Sequence, residues 1–282
     1  MDTKSGLIKK VKAGLIKAGF PLELNIAKIL KDNGWLLSLG SYYLDFETGK
    51  HREFDIAAEK IINGITINLM IECKKSSDKQ LILYAPSSKS ILKSSIFSSW
   101  FKIFPQLKRN NNVTISSTET VIKAFNKLEL FSKDHSFSTN TIFTKGDKIL
   151  QDNVSFFSSL NGLIKKSIHV GGDGYNTTGF RSIFFYIVIY DGIMLQLSPS
   201  DKEDFDLKEI DYGQLEFDYH FKVPPEYYET YGDDIKSFGQ KYIIEMMSPN
   251  YFKSYLNKIN KTIEGVNKDS LEGWGEDWPS FL

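Results

Sequence analysis

Arg52-Glu53-Phe54-Asp55-Ile56 and Leu69-Met70-Ile71-Glu72-Cys73-Lys74-Lys75 place charged residues inside two stretches that otherwise read as buried β-strands. Side chains two apart on a strand share a face, so Glu53 and Asp55 project together from the first stretch and Glu72 and Lys74 from the second. Three carboxylates and an ammonium can then meet, and buried charge must be paired or bound to a metal. Two carboxylates on neighbouring strands make a hard oxygen-ligand site for a small divalent cation. Magnesium is the natural occupant, with manganese as its substitute; Asp55, Glu72 and the backbone carbonyl of Cys73 would be the protein ligands. Positions would remain for a phosphate oxygen and an attacking water. Lys74 would lower that water's pKa or stabilise the negative charge of the transition state. The same residues also fit plain ion pairing on a strand face, Glu72 with Lys74 and Asp55 with Arg52 or Lys74.

The elements that must position these groups are legible around them. Ser5 to Ala18 carries Leu7, Ile8, Val11, Leu15 and Ile16 at helical spacing among lysines, which predicts an amphipathic helix ended by Gly19. Pro21 opens a second helix whose buried face is Leu22, Ile26, Ile29 and Leu30, stopped by Asn33-Gly34. Glu23 lies beside that face, pointing inward or complementing the helix dipole. Trp35 to Phe46 reads as a strand, Glu47-Thr48-Gly49-Lys50 as a turn, and Arg52 to Ile62 as the partner strand. Asn63-Gly64 is a two-residue turn signal before a third strand, Ile65 to Lys74.

Helix acid Glu23, then Arg-Glu-Phe-Asp ending at Asp55, then Ile-Glu-Cys-Lys at Glu72 and Lys74, resembles the PD-(D/E)xK nuclease superfamily. The sixteen residues between Asp55 and Glu72 suit two strands joined by a turn. Within that superfamily the chain is similar to the Holliday-junction-resolvase and Mrr-like branch, in which a glutamate of the first helix joins the metal site. The resemblance implies a restriction-endonuclease-like α/β core of order αβββαβ, a mixed sheet flanked by helices. It implies Asp55 and Glu72 as metal ligands, Lys74 as the catalytic lysine and Glu23 as a supporting acid. The implied activity is magnesium-dependent hydrolysis of DNA phosphodiester bonds by an endonuclease. Restriction or another defence against foreign DNA is the first role it suggests, and recombination or repair the next. Cleavage of RNA, and a non-cleaving nucleic-acid-binding module of a larger assembly, stay open beside it.

The rest of the chain divides by composition. Residues 1–76 with 147–200 are expected to form the core, 77–146 a basic insertion and 201–282 an acidic extension packed on the core. From Lys74 to Arg109 the ionised side chains are Lys74, Lys75, Lys79, Lys89, Lys93, Lys102, Lys108 and Arg109 against Asp78 alone. Lys75, Lys79, Lys89 and Lys93 are therefore candidate contacts to a nucleic-acid backbone. Trp100, Phe101 and Phe104 among them would stack on unpaired bases or pack a small subdomain. A helix is expected over Asp147 to Ile168, with Lys165 and Lys166 in its last turn, then a glycine loop at Gly171-Gly172-Asp173-Gly174. Ile183 to Tyr190 reads as a central strand, and Met194 to Leu197 as an edge strand. Leu215 to Val223 and Tyr242 to Met246 read as strands, and Tyr251 to Ile263 as a helix.

Composition sets outer limits. The 282 residues carry 35 basic and 35 acidic side chains, so no global charge argues for nucleic acid, and local charge must. The acidic tract led by Asp201, Glu203, Asp204 and Asp206 would repel nucleic acid, bind a basic protein partner or simply be solvated. The single cysteine, Cys73, excludes an internal disulfide and a cysteine-rich zinc site, and His51, His135, His169 and His220 have no ligand spacing. No run of about 18 apolar residues occurs and lysines interrupt the N-terminal stretch, so a cytoplasmic protein free of membranes is expected. A homodimer, with two subunits for two strands, is compatible with all of this.

Overall fold

The computed structural model describes residues 4–45, 47–62, 65–85, 138–145, 148–151, 154–174, 182–202, 204–222 and 237–264. In chain order they form α1 (Lys4–Ala18), α2 (Phe20–Asp32), β1 (Leu36–Asp45), β2 (Lys50–Ile62), β3 (Ile65–Tyr84), β4 (Ser138–Lys145) and β5 (Lys148–Gln151). Then follow α3 (Val154–Gly174), β6 (Ser182–Ser198), β7 (Asp206–Glu209), β8 (Tyr212–Lys222), β9 (Ser237–Met247) and α4 (Pro249–Glu264). The result is a mixed α/β fold around one open sheet of order β1-β2-β3-β6-β9-β8, with β4 and β5 attached beside β3 and β7 beside β6. β1, β2 and β3 form an antiparallel meander, β3, β6 and β9 run parallel, and β8 returns antiparallel to β9.

The apolar pattern explains the layers. Parallel strands need helices on both faces, and the unbroken run Phe184 to Tyr190 of β6 is buried on both. Ile67, Leu69 and Ile71 of β3 and Phe185, Ile187 and Ile189 of β6 face α2 and α4, meeting Leu22, Ile26 and Leu30 of the one and Phe252, Leu256 and Ile259 of the other. Met70 of β3 and Tyr186 and Val188 of β6 face α3, meeting Phe156, Leu160, Leu163 and Ile164. Each such side chain contributes about 1.5–3 kcal/mol on burial, which fixes both helical layers to the sheet. α2 begins at Gly19, held at φ 96°, a left-handed conformation that suits glycine, and stops at Asn33, whose Nδ2 donates to the Ile29 carbonyl at 2.8 Å. Among the described residues no helix is long and apolar enough to cross a membrane.

Several expectations change. β3 runs on to Tyr84, ten residues past Lys74, and β4 pairs with its second half, so both ends of the stretch 77–146 lie in the sheet. A short strand, β5, precedes α3, and the helix continues through Gly171–Gly174, where a loop was expected. Lys165 and Lys166 are consequently mid-helix and buried, not dipole partners of a last turn. Met194 to Leu197 is the far half of central β6 and not a separate edge strand, because it stays paired to Leu81 to Tyr84 of β3. The strands expected near Leu215 and Tyr242 and the helix near Tyr251 do form, as β8, β9 and α4; what changes is that β8 and β9 extend the core sheet itself and α4 covers it. α1 is helical as expected, but none of its residues is buried. The Asn63-Gly64 turn, Lys89, Lys93 and the aromatic residues Trp100, Phe101 and Phe104 fall outside the described residues.

Candidate active site

The long edge of β3 is shared between two partners. β2 pairs with Ile65 to Ile71 and β4 with Lys79 to Tyr84, so Glu72 to Asp78 lie between two ladders. On the opposite edge the register against β6 also shifts between Lys75 and Gln80. The charged residues picked out in the sequence sit at this break.

Asp55 comes from β2 just where that strand parts from β3. Ile56 pairs with Ile71 and packs toward α2 and α4, whereas Phe54 packs toward α3, so strict alternation is lost across Asp55. The Asp55 carboxylate replaces the missing ladder partner: its Oδ2 accepts the Cys73 backbone N–H at 2.7 Å. N–H and C=O of one extended residue point to the same side, which directs the Cys73 carbonyl to this edge as well.

Glu72 is 6% exposed, and its Oε2 lies 3.1 Å from Lys74 Nζ. Burial pushes the Glu72 carboxyl up to about 7; Lys74 opposes the shift, and Asp55 and Glu23 add to it by repulsion. Burial works against the Lys74 ammonium, but Glu72 and Asp55 outweigh it and the pKa is raised. Glu23 reaches the same place from α2. Its carboxyl is raised by burial, then by Asp55 and Glu53, with Lys74 opposing. Glu23, Asp55, Glu72 and Lys74, drawn from α2, β2 and β3, thus form one electrostatic cluster. The Cys73 thiol is pushed up by burial and by Asp55, Glu23 and Glu72, so it is no nucleophile. Glu53 is exposed, yet its charge reaches Glu23.

The remaining sequence candidates divide. Lys75 is exposed and its Nζ donates to the Ile16 carbonyl at 3.4 Å, tying the break in β3 to the end of α1. Lys79 marks the start of the β4 ladder, its N–H donating to Ser76 Oγ at 2.9 Å and its carbonyl accepting from Tyr190 Oη at 2.9 Å. Of the plain ion pairs open to the sequence, Glu72 with Lys74 is made, while Arg52 Nε lies 3.7 Å from Asp45 Oδ2.

Sequence reasoning missed two neighbourhoods. Toward α3, a Cβ placed on Gly162 would lie 3.9 Å from Glu72 Oε1 and 3.6 Å from Tyr43 Oη, ordinary van der Waals distances, so α3 passes beside the glutamate here. Tyr43 is buried; burial, Asp45 and Glu72 push its hydroxyl up to about 12, which keeps it protonated. Beyond it Lys165 Nζ donates to both oxygens of Asp45 at 2.9 and 3.0 Å and pairs with the Glu47 carboxylate. Burial opposes the Asp45 charge, but the bonds from Lys165, Thr48 and the Glu47 N–H hold its pKa below the usual value. No local pattern announces this pairing, which joins residues 120 apart. The second neighbourhood is Glu245 on β9, 1% exposed, accepting from Tyr212 Oη at 2.7 Å and Gln214 Nε2 at 2.9 Å. Burial raises it to about 7 against those bonds. A glutamate between Ile243-Ile244 and Met246-Met247 repeats the signal that exposed Glu72.

Among the described residues no three His, Cys, Asp or Glu side chains form a group able to hold a metal ion. Magnesium asks for less, one or two carboxylates with several waters retained, and the Asp55 and Glu72 carboxylates beside the Cys73 carbonyl fit that donor set. In comparisons with known proteins, no family model, no curated protein and no solved structure matches the chain.

Proposed function

We propose that this protein is a magnesium-dependent nuclease of the PD-(D/E)xK kind, hydrolysing DNA phosphodiester bonds, with a restriction-endonuclease-like core made of α2, β1, β2, β3, α3 and β6. The observation that carries the proposal is the cluster of Glu23, Asp55, Glu72 and Lys74 at the break in the β3 ladder. Asp55, Glu72 and the Cys73 carbonyl would hold the ion, for which manganese substitutes. Bound there, it supplies Lewis acidity toward a phosphate oxygen and a water of lowered pKa. Asp55 is oriented by its bond to the Cys73 N–H, which leaves Oδ1 for the cation. Even with Lys74 beside it, burial holds the Glu72 carboxyl up at about 7, and a bound cation would favour its ionised form. Lys74 keeps its proton, so it acts as a fixed cation beside the developing negative charge rather than as a base. Glu23 adds negative charge on the α2 side, favouring cation binding and orienting water. The restriction, defence or repair role belongs to the same proposal.

Plasmid, linear and single-stranded DNA, and RNA in parallel, are incubated with the protein and magnesium or manganese. Metal-dependent DNA cleavage abolished in Asp55→Ala and Glu72→Ala is the expected result; equal cutting by the variants sinks the assignment. A second reading, a nucleic-acid-binding module of a larger assembly that does not cleave, is motivated by the long basic stretch and the acidic C-terminal part. Calorimetry separates the two: magnesium binding lost in Asp55→Ala supports the nuclease.

A further inference from the structure

We infer that α1 is a phosphate-gripping arm that holds a polynucleotide leading into the candidate site, an inference that rests on the nuclease reading for what the arm delivers. Lys4, Lys9, Lys10, Lys12 and Lys17 fall within this one helix, which contains no acid. No residue of the helix is buried, so the lysines are not there to pack or stabilise a core. At 1.5 Å per residue the helix is about 22 Å long, the span of several phosphates along a nucleic-acid strand. Its C-terminal end is fixed at the site. Gly19 turns the chain into α2 through a left-handed conformation, four residues before Glu23, and Lys75 Nζ bonds the Ile16 carbonyl. Lys75 thus adds a further cation where α1 ends, one residue from Lys74.

Charge selects a polyanion as the occupant. The whole protein has no net charge, so a helix with five lysines and no acid is a local concentration that solubility does not require. Backbone phosphates are extended anions that lysines recognise without reading bases. The exposed side chains of Leu7, Ile8, Val11 and Leu15 make an anionic lipid surface the rival occupant.

The experiment uses the full chain and the variant Lys9→Gln/Lys12→Gln/Lys17→Gln, with helicity checked by circular dichroism. Binding of a fluorescent 30-base-pair duplex is followed by anisotropy across a salt series, beside Asp55→Ala as a second variant. The lysine variant is expected to bind about tenfold or more weakly near 0.1 M salt, with a log–log salt slope shallower by about one unit for each phosphate it no longer neutralises. Its turnover at saturating DNA should stay within about twofold of wild type, with KM raised, since no reacting group is touched. Unchanged affinity and slope overturn the arm while leaving cleavage, and so the nuclease reading, intact. Lysine-dependent binding without cleavage by the wild type keeps the arm and sinks the nuclease. Cosedimentation of wild type alone with phosphatidylserine-containing vesicles, with DNA affinity equal in both, assigns the helix to a lipid surface and overturns the proposal.

Discussion

Glu72 and Glu245 are the same residue type on parallel strands of one sheet, both nearly inaccessible and both pushed by burial to about 7. Their company differs. Glu245 accepts bonds from two neutral donors, Tyr212 and Gln214, and the rings of Tyr251 and Tyr255 lie 5.1 and 5.9 Å from that of Tyr212. It joins β8 and β9 beneath α4. Glu72 instead has an ammonium at 3.1 Å and is acted on by two other carboxylates, at a place where the ladder is interrupted, while Glu245 feels only the more distant charge of Lys258. Burial alone therefore does not mark a site. Like charges gathered around a buried carboxylate set Glu72 apart, because their repulsion must be offset by a cation.

The largest expected difference between the two is in activity. Glu72→Gln should lower the rate of plasmid cleavage by about 100-fold or more, while Glu245→Gln stays within about threefold. Equal losses from both would mean that the two carboxylates are structural alike.

Stability should reverse the order. Glu245→Ala leaves the Tyr212 hydroxyl and the Gln214 amide without their acceptor and opens a cavity, costing about 2–4 kcal/mol in urea denaturation. Glu72→Ala should cost less than Glu245→Ala, since Lys74 is partly exposed and the lost pairing is partly offset by relief of repulsion from Asp55 and Glu23. A costlier Glu72 substitution would contradict the distinction.

The pH dependence follows from the raised values. Between the ordinary value of 4.5 and the folded value of about 7, the native chain holds protons on Glu72 and Glu245 that the unfolded chain has released. The native state binds more protons there, so metal-free stability should fall as pH rises across that window. Thermal melts should show a smaller fall for Glu245→Gln, and millimolar magnesium at pH 8 should restore only the part due to Glu72. The smallest effect is at Gly162. A methyl there meets only ordinary van der Waals neighbours, so Gly162→Ala should stabilise α3 by about 0.5–1 kcal/mol and leave cleavage nearly unchanged. A large loss of activity would show that Glu72 needs the space beside this helix.

Much of this was legible locally. The meander, the α2 boundaries and the β6 run follow from periodicity and turn residues, and Asp55, Glu72 and Lys74 stood out as charge in apolar strands. Glu23 was legible from its place beside the buried face of α2. The extension of β3 to Tyr84 was not, because Ser76 to Gln80 is polar and only pairing with β4 and β6 makes it strand. Lys165 looked like a solvated helix end, whereas the helix continues and its ammonium lies on Asp45. Glu245 carried the same apolar-flanked signal as Glu72, yet the chain alone does not say whether neutral donors or like charges wait across the sheet.

The sequence by itself determined α1, α2, α4, the meander and the apolar run of β6, and which residues are chemically able to bind a cation, since these depend on side-chain type at spacings of two or four residues. Only the tertiary structure decided which carboxylates share a field. Glu23, Asp55 and Glu72 meet because β2 parts from β3 after the Ile56–Ile71 pair and α2 packs across the opening. Contacts between residues far apart in the chain have no local signature. Their electrostatics exist only once packing has removed the water between them.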